Sequence, residues 1–257
     1  MCGELSFEPH LVGLTKTRSA DSLVTDSAAG ATAYATGHKT NNHVVGEVPV
    51  TDLSGEGGGV AGTSAKAAAA LRPVGTILEG AQLAGKYTGL VTTTRVTHAT
   101  PASFSSHVAS RDDENEIATE QVMSLEVNVL MGGGRQHFDP QSVPGSKRTD
   151  EVDLIDMAAA RGYKLATDLY SMQMLAAQAK SATYFASENA GLGPRLLGLF
   201  DASHMPYEID FHKGFGAGAG EADVHGSSDP PPLEDMTQAW GRSHQSLPFQ
   251  LLNLRAP

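Results

Sequence analysis

The sequence predicts an α/β protein, with a mostly parallel sheet that helices flank on both faces. Two observations carry this prediction. Segments with helical spacing of apolar residues alternate along the chain with short segments rich in β-branched or apolar residues, as in a parallel sheet covered on both sides. The 257 residues, 40% of them hydrophobic, are also enough for a sizeable core. In such sheets, ligands bind at the carboxyl ends of the strands.

The first predicted element is a helix in LVTDSAAGATAYATG, residues 23–37. Asp26 and Ser27 are both favoured helix N-caps, alanines fill the interior, and Gly37 suits a left-handed C-cap. Capping alone explains the acid–hydroxyl pair. The functional alternative is an exposed serine at a helix N-terminus, where free N–H groups and the helix dipole favour a phosphate. The G-x-S-x-G pattern is absent, which disfavours an acyl-transfer serine hydrolase.

Next come a glycine-rich surface insertion at residues 54–64 and an amphipathic helix that starts at Pro73 and ends at Gly85. YTGLVTTT, residues 87–94, is typical of a strand. The same alternation continues in the remaining elements: helices at residues 114–123, 154–161 and 169–180, and strands at 127–131, 163–166 and 196–200. From residue 211 the chain is rich in glycine and proline, and we expect residues 211–257 to form a divergent, poorly ordered tail.

Charge and composition exclude some classes of partner. The net charge of −11, without clustered Lys and Arg, argues against nucleic acid as the main partner. No apolar run is long enough to span a membrane, and the N-terminus as written carries no secretion signal. The single cysteine, Cys2, excludes an internal disulfide and leaves the compartment open.

The second unusual stretch is TTTRVTHATPASFSSHVASRD, residues 92–112. Taken alone, it fits a strand that ends in a capped turn, with His98 bonded to backbone groups and Arg111 in a surface ion pair. A functional interpretation is also open, because an arginine fork binds phosphate oxygens through two parallel bonds. The histidine and threonine could then serve a metal ion. LMGGGRQHF, residues 130–138, lacks a P-loop lysine and fits a structural turn better than a nucleotide site.

Four stretches together resemble the alkaline phosphatase family, in the variant of its animal and fungal members. In chain order they are VTDSAAGATAYATG, GLVTTTRVTHATPASFSSHVASRD, VNVLMGGGRQHF and LLGLFDASHMPYEID. The resemblance covers most of residues 11–210. It implies that this part is an alkaline-phosphatase-like α/β domain.

The resemblance also implies roles for single residues. Ser27 matches the serine that attacks phosphorus, becomes phosphorylated and touches one zinc ion, with Asp26 as a supporting acid. Arg111 matches the arginine that holds the non-bridging phosphate oxygens. Thr100 matches a hydroxyl ligand of magnesium, and His98 stands where animal-type members carry a metal-site histidine.

By the same resemblance, the implied activity is hydrolysis of small phosphate monoesters through a phosphoserine intermediate. Zn²⁺ and Mg²⁺ are the implied cofactors. A Ca²⁺ site near Phe200, Asp201 and Asp229 is a weaker hint, because solvated loop carboxylates explain these residues better. Family members are usually homodimers. The implied location is extracytoplasmic or vacuolar.

The sequence departs from the family pattern at both ends. Family members begin with a strand ending in Gly-Asp-Gly, and after the MPYEID stretch they carry motifs that supply most zinc ligands; neither occurs here. We therefore expect an α/β domain that is incomplete, truncated at both ends. The alternative function is a catalytically inactive fragment or variant with weak phosphate or metal binding.

Overall fold

The computed structural model describes residue 13 and residues 15–50, 70–125, 127–179, 195–207, 230–241 and 249–254. In these ranges the strands are β1 (Glu47–Pro49), β2 (Leu71–Pro73), β3 (Tyr87–Arg95), β4 (Val129–Gly133), β5 (Tyr163–Ala166), β6 (Arg195–Leu199) and β7 (Phe249–Leu254). The α-helices are α1 (Ser27–Thr36), α2 (Ile77–Leu83), α3 (Ala99–Ser105), α4 (Glu114–Thr119), α5 (Leu154–Ala160), α6 (Leu169–Ala179) and α7 (Leu233–Gly241).

The main sheet of the described residues has five strands in the order β5-β6-β4-β3-β7, and every neighbouring pair is parallel. β1 and β2 form a separate antiparallel pair. Strands β4 and β6 are buried along their whole length, as expected where both faces of a sheet are covered.

Two apolar clusters lie on opposite faces of this sheet, because successive side chains of a strand alternate between faces. One cluster joins Leu90, Leu130 and Leu197 of the strands to residues of α1, α2 and α5. The other joins Val91 and Met131 to residues of α6 and α7. Helices therefore cover both faces, and the predicted fold class is confirmed.

Most predicted elements are found, with shifted ends. The predicted strand 127–131 lies at Val129–Gly133, and the predicted helix 114–123 is α-helical only to Thr119, continuing as a π-helical turn, Glu120–Ser124. The helix predicted to start at Pro73 is wrong at its N-terminus. Pro73 ends β2, and the helix begins after Thr76, which forms a capping box with Glu79.

Two other predictions concern segments that are only partly described. The glycine-rich insertion, residues 54–64, lies outside the described residues. In the predicted tail, residues 211–257, the described parts form helix α7 and strand β7. The division of the chain at residue 210 stays a prediction. Within the described ranges, no helix is both long enough and apolar enough to cross a lipid bilayer.

The carboxyl ends of β3 and β4 are brought together by glycines. A Cβ at Gly133 would lie 2.0 Å from the carbonyl oxygen of Ser203, and one at Gly132 would lie 2.9 Å from that of Thr94. Only residues without a side chain allow this approach of the backbone. The end of β4 is thereby packed directly against the backbone of β3 and of the segment that follows β6.

We predict that Gly133→Ala lowers the free energy of unfolding by about 1–3 kcal/mol, because the added methyl group meets backbone that cannot rotate away. The matched control is Gly75→Ala, since a Cβ at Gly75 meets no atom within 4 Å. The control should change stability by less than about 1 kcal/mol. Urea unfolding of both variants checks this, and equal stability of the two would contradict it.

Candidate active site

Three segments meet at the carboxyl end of β3. They are the N-terminus of α1, the start of α3 and the loop before α4, and they carry Ser27, His98 and Arg111 respectively. Helix α1 packs on α3 through small residues, and the Ser103 hydroxyl donates to the carbonyl of Ala28 at 3.1 Å. This buried contact holds the first two segments in register.

Asp26 caps helix α1. Its Oδ1 accepts from the backbone N–H of Ala29 at 2.9 Å, and Gly37 closes the helix with φ 76°. Burial raises the pKa of the Asp26 carboxyl, but bonds from Ala29, Arg111 and His43 outweigh burial and hold that pKa below its ordinary value. Ser27, the first residue of the helix, is exposed. The capping interpretation of Asp26 is therefore confirmed, and it leaves the Ser27 hydroxyl accessible.

Arg111 connects the other groups. Its Nη1 donates to Oγ of Ser27 at 2.8 Å and to Oδ2 of Asp26 at 3.1 Å, and its Nη2 donates to Nε2 of His98 at 3.0 Å. A cationic fork therefore lies beside an exposed hydroxyl at the positive end of a ten-residue helix. This combination can bind a dianionic phosphate next to a nucleophilic oxygen.

His98 is a neutral imidazole with a defined tautomer. An arginine can only donate, so Nε2 must accept from Arg111, and Nδ1 must carry the proton. Burial, followed by the charges of Arg111, His204 and Arg95, lowers the pKa of His98 to about 4. The ring of His204 meets that of His98 edge to face, with centroids 5.3 Å apart. The His98 side chain therefore adds no positive charge near Ser27 at neutral pH.

An ion pair lies behind His98. Arg95 donates to Glu114 through two parallel bonds of 2.7 and 2.8 Å, and its Nη1 lies 2.6 Å from Nε2 of His204. Thr97 donates to the same carboxylate at 2.5 Å. The bonds from Arg95 and Thr97 outweigh burial and lower the pKa of Glu114. The carboxylate thus neutralises a second arginine close to the site.

A cleft of about 290 Å³ opens beside this ion pair. Carboxylates dominate its lining, among them Asp112, Glu114 and Glu116. A phosphate would be repelled there. The cleft is therefore a poor candidate for an anion site, and the anion site predicted at Ser27 and Arg111 lies outside it.

The candidate metal ligands do not complete a metal centre. Among the described residues, no group of three or more His, Cys, Asp or Glu side chains could hold an ion. His98 offers no free lone pair in its present tautomer, because Nε2 is bonded to Arg111 and Nδ1 is buried and protonated, without a hydrogen-bond partner. Thr100 lies half-buried in the first turn of α3. The metal-binding roles of Ser27, Thr100 and His98 stay predictions.

The structure thus brings four of the five site residues named from the sequence into one bonded cluster: Ser27, Asp26, Arg111 and His98. Sequence reasoning missed the pair Arg95–Glu114 and the contact of His204. Arg95 lies 19 positions from Glu114 and 109 positions from His204, and no local spacing in the sequence signals either contact.

The sequence is similar to known proteins over most of its length. The sequence model of the family described as alkaline phosphatase matches residues 3–240. The repressible alkaline phosphatase of Saccharomyces cerevisiae is 42% identical over 216 residues, which are 80% of this chain and 33% of that protein. The alkaline phosphatase of Schizosaccharomyces pombe is 39% identical over 212 residues, 80% of this chain and 34% of that protein. The chain spans about a third of the length of these curated relatives.

Solved structures show the same similarity. The Thermus thermophilus alkaline phosphatase superposes with a TM-score of 0.64 at 29% identity, over 93% of this chain and 39% of that chain. A cold-active alkaline phosphatase from Shewanella sp. gives a TM-score of 0.63 at 28% identity, over 99% of this chain and 48% of that chain.

We predict that Glu114→Gln destabilises the protein by about 1.5–3 kcal/mol, because it leaves the Arg95 charge half-buried without its carboxylate. The lowered pKa of Glu114 adds a pH signature: the stabilisation is present above the ordinary pKa of 4.5 and is lost as pH falls through the lower folded value. The stability difference between wild type and variant should therefore shrink in acid.

The matched control is Glu116→Gln, an exposed residue of the same helix α4. Its stability should stay within about 0.5 kcal/mol of wild type at each pH. Urea unfolding from neutral pH into acid measures all three proteins. Equal effects of the two substitutions would refute the role of the Arg95–Glu114 pair.

Proposed function

Because the chain belongs to the alkaline phosphatase family, we propose that it hydrolyses small phosphate monoesters, with Ser27 as the nucleophile. One observation carries the proposal. The Nη1 atom of Arg111 lies 2.8 Å from Oγ of Ser27, at the N-terminus of α1. An exposed hydroxyl, a guanidinium and a helix N-terminus at one point suit a transferable phosphoryl group better than an acyl group.

The reaction would proceed in two displacements. Oγ of Ser27 attacks phosphorus, the ester P–O bond breaks, and the alcohol leaves with the serine proton. Water then attacks the phosphoserine, the P–Oγ bond breaks, and inorganic phosphate leaves while Ser27 regains its proton. Charge on the transferring group is met by the Arg111 guanidinium and the N-terminus of α1. Asp26 orients that guanidinium, and His98 supports it from the other side.

The family uses metal ions, and we propose Zn²⁺ and Mg²⁺ as the ions for this chain. Ser27, Thr100 and His98 are the described residues that would contribute ligands, and they need further ligands to complete a site. His98 would also have to release Arg111 to offer Nε2. A Ca²⁺ ion near Phe200 and Asp201 is a weaker part of the proposal, with Asp229 outside the described residues.

The remaining parts of the proposal rest on the family. We propose small phosphate monoesters as substrates, a homodimer as the assembly and an extracytoplasmic or vacuolar location. The strongly acidic composition supports the exclusion of nucleic acid as the main partner.

We predict metal-dependent release of a chromogenic alcohol from its phosphate monoester at alkaline pH, and its loss by at least about 10³-fold in Ser27→Ala. The matched control is Ser142→Ala, an exposed serine in the loop before α5. It should keep wild-type turnover. The assay uses the purified full chain with and without Zn²⁺ and Mg²⁺. Wild-type turnover no higher than that of Ser27→Ala would refute the proposal.

We further predict that Arg111→Lys lowers kcat/KM on the order of 100-fold and weakens inhibition by inorganic phosphate, because an ammonium cannot reproduce the planar fork. Arg72→Lys, an exposed arginine of β2, is the control. Steady-state kinetics with inorganic phosphate as a competitive inhibitor compares Arg111→Lys with Arg72→Lys, and only Arg111→Lys should differ from wild type. An unchanged inhibition constant in Arg111→Lys would contradict phosphate binding by this side chain.

A further inference from the structure

A short polar turn, residues 41–43, lies between the nucleophile segment and the arginine segment. Its sequence is Asn41-Asn42-His43, and the N–H of Val44 closes it on the carbonyl of Asn41 at 3.2 Å. None of these residues belongs to the proposed reaction. Their hydrogen bonds nevertheless reach both sides of the site.

The side chain of Asn42 bonds to the backbone on the N-terminal side of Ser27. Its Oδ1 accepts from the N–H of Asp26 at 3.0 Å, and its Nδ2 donates to the carbonyl of Val24 at 3.0 Å. The two partners fix the orientation of the carboxamide, because only oxygen can accept and only nitrogen can donate. The backbone N–H of Asn42 in turn donates to Asp21 at 2.9 Å. One side chain thereby holds the two residues that lead into the helix cap.

His43 bonds to the other side through its backbone. Its N–H donates to Oδ2 of Asp26 at 3.2 Å, and its carbonyl accepts from the N–H of Arg111 at 2.7 Å. Its φ is 72°, in the left-handed region that non-glycine residues rarely adopt. Such strain persists only where the surroundings impose it, and it clusters at functional sites.

We infer that Asn42 is a positioning residue, which sets the distance between Ser27 and Arg111 through the turn 41–43. This inference rests on the proposed function. The bonds form a closed path: Asn42 holds the backbone of Asp26, His43 holds its carboxylate and the backbone of Arg111, and Arg111 returns to Asp26 and Ser27. The path ties the segments of Ser27 and Arg111 to one turn, and the Asn42 side chain itself bonds to neither of these two residues.

Truncation of Asn42 should therefore affect turnover more than binding. Arg111 keeps its bonds to Asp26 and to the backbone of His43, so the phosphate-binding fork remains. The backbone before Ser27 loses its two bonds to the Asn42 side chain. A nucleophile displaced by about 1 Å can cost on the order of 100-fold in rate. A side chain that only contributed to general stability would lower the melting temperature and leave kcat per folded molecule unchanged.

The experiment compares Asn42→Ala with Asn41→Ala in the full chain. Asn41 is the matched control, since it is the same residue type in the same turn and its side chain makes no hydrogen bond within the described part of the chain. Kinetics with a chromogenic phosphate monoester, inhibition by inorganic phosphate and thermal unfolding are measured for both. We expect kcat to fall about 100-fold in Asn42→Ala, with the phosphate inhibition constant unchanged, and to stay at the wild-type value in Asn41→Ala.

A second variant, His43→Gly, separates backbone from side chain. Glycine keeps both backbone bonds and removes the strain of the positive φ, so the variant should unfold at a higher temperature and keep its kcat. A loss of kcat in His43→Gly equal to that in Asn42→Ala would overturn the inference. Equal kcat in Asn42→Ala and Asn41→Ala would also overturn it.

The proposed function fails if wild-type turnover is no higher than the Ser27→Ala background. If wild-type turnover exceeds that background, the kinetics of Asn42→Ala test this inference alone. If that turnover is absent, amide hydrogen exchange decides the inference. Exchange at Asp26 should be faster in Asn42→Ala than in Asn41→Ala, because its N–H loses the carboxamide oxygen. Equal exchange in the two variants would overturn the positioning role.

Discussion

The ion pair between Arg111 and Asp26 is the interaction on which the site depends. Asp26 has three tasks at once: it caps α1, accepts from the backbone of His43 and orients the Arg111 guanidinium. Its carboxylate can perform them together only while it is ionised, and its lowered pKa is consistent with that. Because the guanidinium is shared with Ser27, a phosphate bound as proposed would compete with Asp26 for the same donors. The ion pair with Asp26 holds the guanidinium beside Ser27 in the absence of an anion.

The charges around Ser27 are balanced by the groups that surround the Arg111–Asp26 pair. Two arginines lie near His98, and each has its own carboxylate, Asp26 for Arg111 and Glu114 for Arg95. His98 stays neutral between them because burial and both cations oppose its protonation. The positive potential at the hydroxyl thus comes from one guanidinium and one helix N-terminus, both with fixed direction. Fixed dipoles of this kind need no rearrangement when charge develops during phosphoryl transfer.

Strand and helix spacing in the sequence predicted the fold class. Resemblance to the family named Ser27, Asp26, His98 and Arg111, which the structure brings together although Arg111 lies 84 positions from Ser27. The sequence did not predict the turn 41–43 or the pair Arg95–Glu114. Asparagine and histidine in a polar loop are ordinary, and their partners become visible only when distant segments meet. The misplaced start of the helix after Pro73 has a similar cause, since proline suits both a helix N-terminus and the end of an edge strand, and the pairing with β1 decided between them.

The position of β7 has a consequence for how the chain is made. Strand β3, which leads into the site, pairs on one side with β4 and on the other with β7, near the far end of the sequence. During synthesis on a ribosome, β3 and its helices emerge long before β7 does. One edge of β3 then presents unpaired backbone groups to other nascent chains, the kind of edge that templates aggregation. The strand that leads into the site thus keeps one edge unpaired until β7 has been made.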